Sequence, residues 1–146
     1  MTAKQYLRQL EKIKIRIDHL TWQIKELDER ATSLRGLDYS APAVQTSPTN
    51  DASFVSAIVK LSDIKSEVTE RIVQYEQIQN KIIKQIERVD NALFEKVLFK
   101  RYVELKSYNE IADELQMSIS YFHKAHKLAL ETFGRLFRSE IELYTK

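Results

Sequence analysis

The chain has no cysteine, which excludes disulfides, thiol nucleophiles and cysteine-ligated zinc. It has only 2 glycines and 2 prolines in 146 residues. An all-β fold needs many more turn-forming residues, so the shortage points to long helices. No apolar run reaches the length of a membrane-spanning helix, about 18 residues. The opening stretch MTAKQYLRQLEKIK interleaves charge with apolar residues where a secretory leader would hold an apolar block. A cytoplasmic location without membrane contact is expected. A glycine-rich phosphate loop, a recognisable Ser-His-acid set and a carboxylate cluster at metal-site spacing are all missing. Neither an enzyme nor a bound cofactor or metal is expected.

What the chain does have is helical periodicity. Ala3, Tyr6, Leu10, Ile13, Ile17, Leu20, Ile24, Leu27, Ala31 and Leu34 follow one another in steps of three and four. This spacing draws one apolar seam along a helix, close to the coiled-coil repeat. Gly36 is the expected stop, because glycine tolerates the left-handed conformation of a helix C-cap. Residues 36–52, GLDYSAPAVQTSPTNDA, hold both prolines and read as a linker. The next helix is expected to start between Ser47 and Asp51, with Asn50 or Asp51 preferred as cap. A second seam follows in Phe54, Ile58, Leu61, Ile64, Val68, Ile72, Tyr75, Ile78, Ile82, Ile86 and Val89.

Two long helices with matching seams predict an antiparallel hairpin. A lone pair of helices is marginal, so the C-terminal region or another subunit should cover it. Trp22 lies off the first seam and marks either a second packing face or an exposed aromatic. His19 is expected on a solvated flank. The expected organisation is all-α: 1–35 the first coiled-coil helix, 36–52 the linker, 53–89 the second helix, and 90–146 a C-terminal domain.

Charge is uneven although the net charge is only +2. Residues 118–138 hold Lys124, Lys127, Arg135 and Arg138 against Glu131 alone, while the second long helix is balanced in sign. In the same region Asp90 and Asn91 break the periodicity and favour a cap. A helix is predicted at about 92–104, with Leu93, Phe94, Val97, Leu98, Phe99 and Tyr102 inward. Ser107 with Glu110 has the spacing of a capping box and predicts a helix over 108–115. Ser118 can cap a last helix from 119 to about 138.

At about 100° per residue, Phe122, Ala125, His126, Ala129 and Phe133 share one side of that last helix. Ser120, Lys124, Lys127 and Glu131 lie opposite, with His123 on the flank. Ile111, Ala112 and Leu115 supply a matching inner face on the helix before it. Tyr121 and Leu128 share a lateral face and are expected to pack against the 92–104 helix. The connection is only Gln116, Met117 and Ser118 long, and Gln116 stands where such turns often have glycine. An apolar inner face, a tight turn and a second helix with a basic outer face are the elements of a helix-turn-helix. Ile119, Ser120, His123 and Lys124 are then the candidates for reading base edges, with the capping Ser118 also counted among the DNA-binding residues. Lys127, Arg135 and Lys106 are the candidates for holding phosphates.

SYNEIADELQMSISYFHKAHKLALETF resembles region four of sigma factors, through Glu110-Ile111-Ala112, Leu115, Ser118, Phe122 and Ala129-Leu130. LFKRYVELKS is similar to the helix that precedes that motif. The order of the chain, a helical first half followed by this motif, resembles phage regulators of the ArpU/RinA type. The resemblance covers about 40 residues by motif and the rest by organisation. It implies a transcriptional regulator of phage or prophage genes, an activator of late genes whose partners are double-stranded DNA and host RNA polymerase. The coiled coil would set the oligomeric state, as a homodimer, or dock the polymerase.

Other readings stay open on the residues alone. A basic helical corner also occurs in ordinary bundles. His123 and His126, three apart, could share a metal, although no third ligand is evident. A small-terminase-like DNA-packaging subunit joins the same two elements in a ring. A structural coiled-coil adaptor would use the seams alone.

Overall fold

Helix after helix is what so few chain breakers allow, and every regular element among the described residues is helical. The computed structural model describes residues 1–40 and 48–145, with side chains over 1–32 and 52–145. The elements are α1 (Ala3–Leu7), α2 (Gln9–Ser40), α3 (Pro48–Glu87), α4 (Ala92–Leu98), a π turn (Phe99–Val103), α5 (Tyr108–Glu114), α6 (Ile119–Leu136) and α7 (Arg138–Thr145). None is long and apolar enough to cross a membrane.

Local chemistry explains most of the boundaries. Thr2 caps α1 in a reciprocal box with Gln5: its Oγ1 accepts from Gln5 N–H at 3.2 Å, and its own N–H donates to Gln5 Oε1 at 2.9 Å. The expected continuous helix from residue 3 is interrupted at Arg8. There the Gln9 side chain donates to the Tyr6 carbonyl at 2.8 Å, supplying a partner where the helical ladder is broken. Gly36 is not a stop, because α2 runs on to Ser40. Glycine inside a helix costs only about 1 kcal/mol, so its permissiveness did not compel an end there. α3 begins at Pro48, which suits the first helical position because its missing N–H would have no partner anyway. Asn50 and Asp51 therefore lie inside the helix rather than capping it. The middle of the expected linker, residues 41–47, lies outside the described residues.

Asp90 adopts φ 57° and ends the turn after α3, and Asn91 caps α4 by accepting from Phe94 N–H at 3.1 Å. The expected single helix over 92–104 changes pitch at Phe99. Glu104 N–H reaches back five residues to the Phe99 carbonyl at 3.0 Å, so the segment Phe99–Val103 is a π turn.

The chain divides into two compact units. Met1–Ile13 and Tyr75–Lys146 form one. Its core joins Tyr6, Leu7 and Leu10 to Ile82, Ile86 and Val89, and both groups to Leu98, Tyr102, Ala129, Phe133, Phe137 and Ile141. A second, smaller cluster holds Val97, Ile111, Ala112, Phe122 and Ala125, with Leu93, Tyr108, Leu115 and Met117 against it.

Lys14–Gln74 form the other unit. Arg16 Nη2 meets Glu67 Oε1 at 3.1 Å, and Arg71 approaches the same oxygen at 4.0 Å. Leu20 is buried, while Ile17, Ile24, Leu27, Phe54, Leu61, Ile64 and Val68 are half-buried. Ile58 and Ile72, expected in the seam, are 46% and 44% exposed. Two helices meeting along a line cover one stripe each, and apolar positions at its margin stay open. Trp22 is 62% exposed and His19 is exposed as well.

Candidate nucleic-acid interface

The geometry of α5 and α6 starts from three backbone devices. Ser107 Oγ accepts from Glu110 N–H while Ser107 N–H donates to Glu110 Oε2, both at 3.2 Å, which fixes the start of α5. At its end, Met117 N–H donates to Ala112 O at 2.9 Å and Gln116 N–H to Asp113 O at 3.2 Å. This is the Schellman pattern, with Gln116 in the left-handed position at φ 55° and Met117 folded back on the apolar cluster. Glycine would hold that position with less strain, but the two hydrogen bonds and the Met117 contact suffice for glutamine. Ser118 Oγ then accepts from Tyr121 N–H at 3.1 Å and starts α6.

Beneath α6 the inner face is as expected: Phe122, Ala125, His126, Ala129 and Phe133 are buried, and Ile111 and Ala112 meet them from α5. Ala112 has no side chain beyond Cβ, which lets the two helices come close. His126 is more deeply enclosed than a half-buried packing residue would be. Its ring stacks on Tyr102 and Phe122 at centroid distances of 5.8 and 5.6 Å, and Tyr108 lies 5.2 Å away. The Tyr102 hydroxyl and His126 Nε2 share a hydrogen bond of 2.8 Å. Tyr102 lies within the π turn.

Burial pushes the His126 imidazole down to about 4, and the positive charges of Lys4 and Arg101 act in the same direction. Burial also raises the Tyr102 phenol. Both groups are therefore neutral near pH 7. With Nε2 engaged in the core and His123 exposed, the two histidines are differently employed.

The outer face carries the sequence candidates. Ser120, His123, Lys124, Lys127 and Arg135 are exposed, and Ile119 is 40% exposed. Ser120, Lys124 and Lys127 fall within about 60° of one another around the axis. Arg135 continues the same side two turns further on. None of Lys124, Lys127 and Arg135 has an acidic partner among the described residues. The His123 ring stands edge-on to half-buried Tyr108 at 5.6 Å and to buried Phe122 at 5.9 Å, so an exposed group is held by the edge of the core. The Ser118 hydroxyl oxygen is committed to the cap.

Two expectations change. Lys106 is not a free cation: its Nζ lies 2.6 Å from Glu114 Oε1 and 3.1 Å from Glu104 Oε2. Lys100 joins the same group at 2.8 Å from Glu114 Oε2, leaving two lysines and two glutamates balanced. Tyr121 and Leu128, expected to pack against the 92–104 helix, are not enclosed by it. They are 52% and 51% exposed along one flank of the outer face. Their seven-residue spacing puts them on a common strip, but periodicity cannot tell which strip a neighbour covers.

Arg101 was not singled out by sequence and nevertheless braces the region. Its guanidinium lies 5.0 Å from the Tyr108 ring centroid, Nη1 donates to the Lys106 carbonyl at 3.1 Å, and Nη2 is 3.8 Å from Glu11 of α2. This holds the loop in which Leu105 adopts φ 60° immediately before α5. Only its place within the basic stretch FKR could have drawn attention to it.

No protein-family model matches the chain, and no curated protein or solved structure matches it either.

Proposed function

We propose that the protein is a sequence-specific, double-stranded-DNA-binding transcriptional regulator in which α5 and α6 act as a helix-turn-helix. The observation that carries this reading is the outer face of α6. Unpaired Lys124 and Lys127 stand beside exposed Ser120 and the oriented His123, on a helix fixed at its start by Ser118 and by the Gln116 turn. In a major groove, the start of such a helix meets base edges and its lysines meet phosphates. Exposed Ile119 and Tyr121 add apolar surface suited to thymine methyl groups.

The wider biological assignment rests on resemblance to sigma region four and to ArpU/RinA-type phage regulators. On that basis the protein activates late genes of a phage or prophage together with host RNA polymerase in the cytoplasm. Binding rather than catalysis is its work, with no cofactor or metal. α2 and α3 form an antiparallel coiled-coil hairpin. Its incompletely covered seam, with Ile58 and Ile72 open, favours a homodimer through this half.

The test is enrichment of a binding site from a random duplex library, combined with a mass measurement of the protein in solution. The proposal expects one enriched sequence and a dimer. Salt-sensitive binding without any enriched sequence would contradict a regulator. A ring of eight or more subunits would favour the DNA-packaging reading, and absence of DNA binding a structural adaptor.

A further inference from the structure

α1 is too short to be stable alone, so its position depends on what it packs against. Thr2 and Gln5 close its first turn. Tyr6 and Leu7 are buried, and the Tyr6 ring lies 6.1 Å from Phe133 of α6 and 5.7 Å from Tyr144 of α7. The Tyr6 hydroxyl donates to Gln85 Oε1 of α3 at 3.1 Å in the core. A Cβ added at Gly134 would stand 3.5 Å from Ala3 Cβ, which is ordinary contact between two closely apposed helices. α1 is thus fastened against the second half of α6.

The contact chooses a particular side of α6. Gly134 follows Lys127 by seven residues, so the two share a strip, and His123 lies one turn before Lys127 near that strip. α1 therefore packs on the Lys127 side of α6, about two turns beyond Lys127, while Tyr121 and Leu128 lie on the opposite flank. Of the cations at this border, Arg8 is occupied: its Nε lies 2.8 Å from Glu11 Oε2. Lys4 is exposed and has no acidic partner among the described residues. It follows Ala3, whose Cβ faces Gly134 of α6.

We infer that α1 is a flanking wall of the DNA interface, and that Lys4 contacts a backbone phosphate beside the groove entered by α6. This rests on the DNA-binding reading and extends it to a segment more than a hundred residues away in sequence. A flexible lysine on a helix clamped by Tyr6 and Ala3 can reach a phosphate without ordering a new segment. As a contact to the backbone, it adds affinity and register without base preference.

The experiment is a salt titration of binding by the full chain to the enriched duplex and to a random duplex. Lys4→Ala should lower the slope of log affinity against log salt by about 0.9 and weaken both duplexes by the same factor. Lys4→Arg should restore the wild-type slope, and Lys65→Ala, an exposed lysine of α3 in the other unit, should leave it unchanged. If Lys127→Ala lowers the slope while Lys4→Ala keeps it, the DNA reading stands and the α1 wall is overturned. If wild-type binding shows no salt dependence at all, the DNA reading falls and this inference with it. If Lys4→Arg fails to restore the slope, a phosphate contact by charge is overturned.

Discussion

Within Met1–Ile13 and Tyr75–Lys146, five large aromatic side chains are at most 2% exposed: Tyr6, Tyr102, Phe122, Phe133 and Phe137. Within Lys14–Gln74, Leu20 is the only comparably buried side chain among the described residues, and the other apolar seam positions are half-covered or open. The seams of the two regions look alike in sequence. What differs is the number of helices that surround them. In the first unit α1, α4, α6 and α7 close over the ends of the long helices, and apolar residues meet neighbours on several sides. In the second, a line of contact between two helices buries one stripe and no more. A heptad pattern specifies that something will pack, not how many partners will do so.

The largest effect should come from the filled core. Phe133→Ala should cost about 3–5 kcal/mol, because it removes a fully buried ring and leaves a cavity among Tyr6, Phe137 and Ala129. Ile24→Ala, at a half-buried seam position, should cost on the order of 1 kcal/mol. Urea unfolding of both variants checks the contrast. Equal losses would mean that the seam carries as much packing as the core.

A second contrast comes from acid. The His126 imidazole has a depressed value in the folded state, about 4 against an ordinary 6.5. The folded protein therefore resists protonation that the unfolded chain accepts. The contribution is fully present above pH 6.5 and is lost as pH falls from 6.5 to 4. Each tenfold weakening of proton affinity corresponds to about 1.4 kcal/mol, so the loss is about 3 kcal/mol. Thermal unfolding across that range should show it, and His126→Gln should flatten the pH dependence. No histidine in Lys14–Gln74 is buried, so hydrogen exchange there should respond far less to the same acidification.

The smallest of these effects is local. Ser107→Ala removes the acceptor for Glu110 N–H and breaks the capping box, which should cost about 1 kcal/mol. The expected change is a lowered thermal midpoint, with hydrogen-exchange protection lost first in α5. Loss confined to α2 and α3 would show that α5 does not depend on its cap.

What could be read from sequence was local. Ser107 with Glu110, Ser118 before α6, Asn91 before α4, and the inner face from Phe122 to Phe133 each follow from spacing within a few residues. Features set by distant parts of the chain were not legible. Gly36 lay within helical surroundings that outweighed its own preference. The π turn at Phe99 carries Tyr102, whose partner His126 lies 24 residues on. Lys106 reads as a free cation until Glu104 and Glu114 are brought to it. The exposure of Tyr121 and Leu128, and the return of α1 to α6, depend on which helices become neighbours. Composition and periodicity do not contain that information. The outer residues of α6 were legible as a set for the opposite reason: once the buried face is known, the exposed face is what remains.

The most direct test of the proposed reading role for α6 compares His123→Ala on two DNAs. The imidazole is held by Tyr108 and Phe122, so its loss should act on sequence discrimination. On the enriched duplex the variant should lose on the order of 1–3 kcal/mol of binding, and on random duplex at the same salt much less. Equal weakening on both would contradict a reading role for this face of α6, and unchanged affinity on both would remove His123 from the interface.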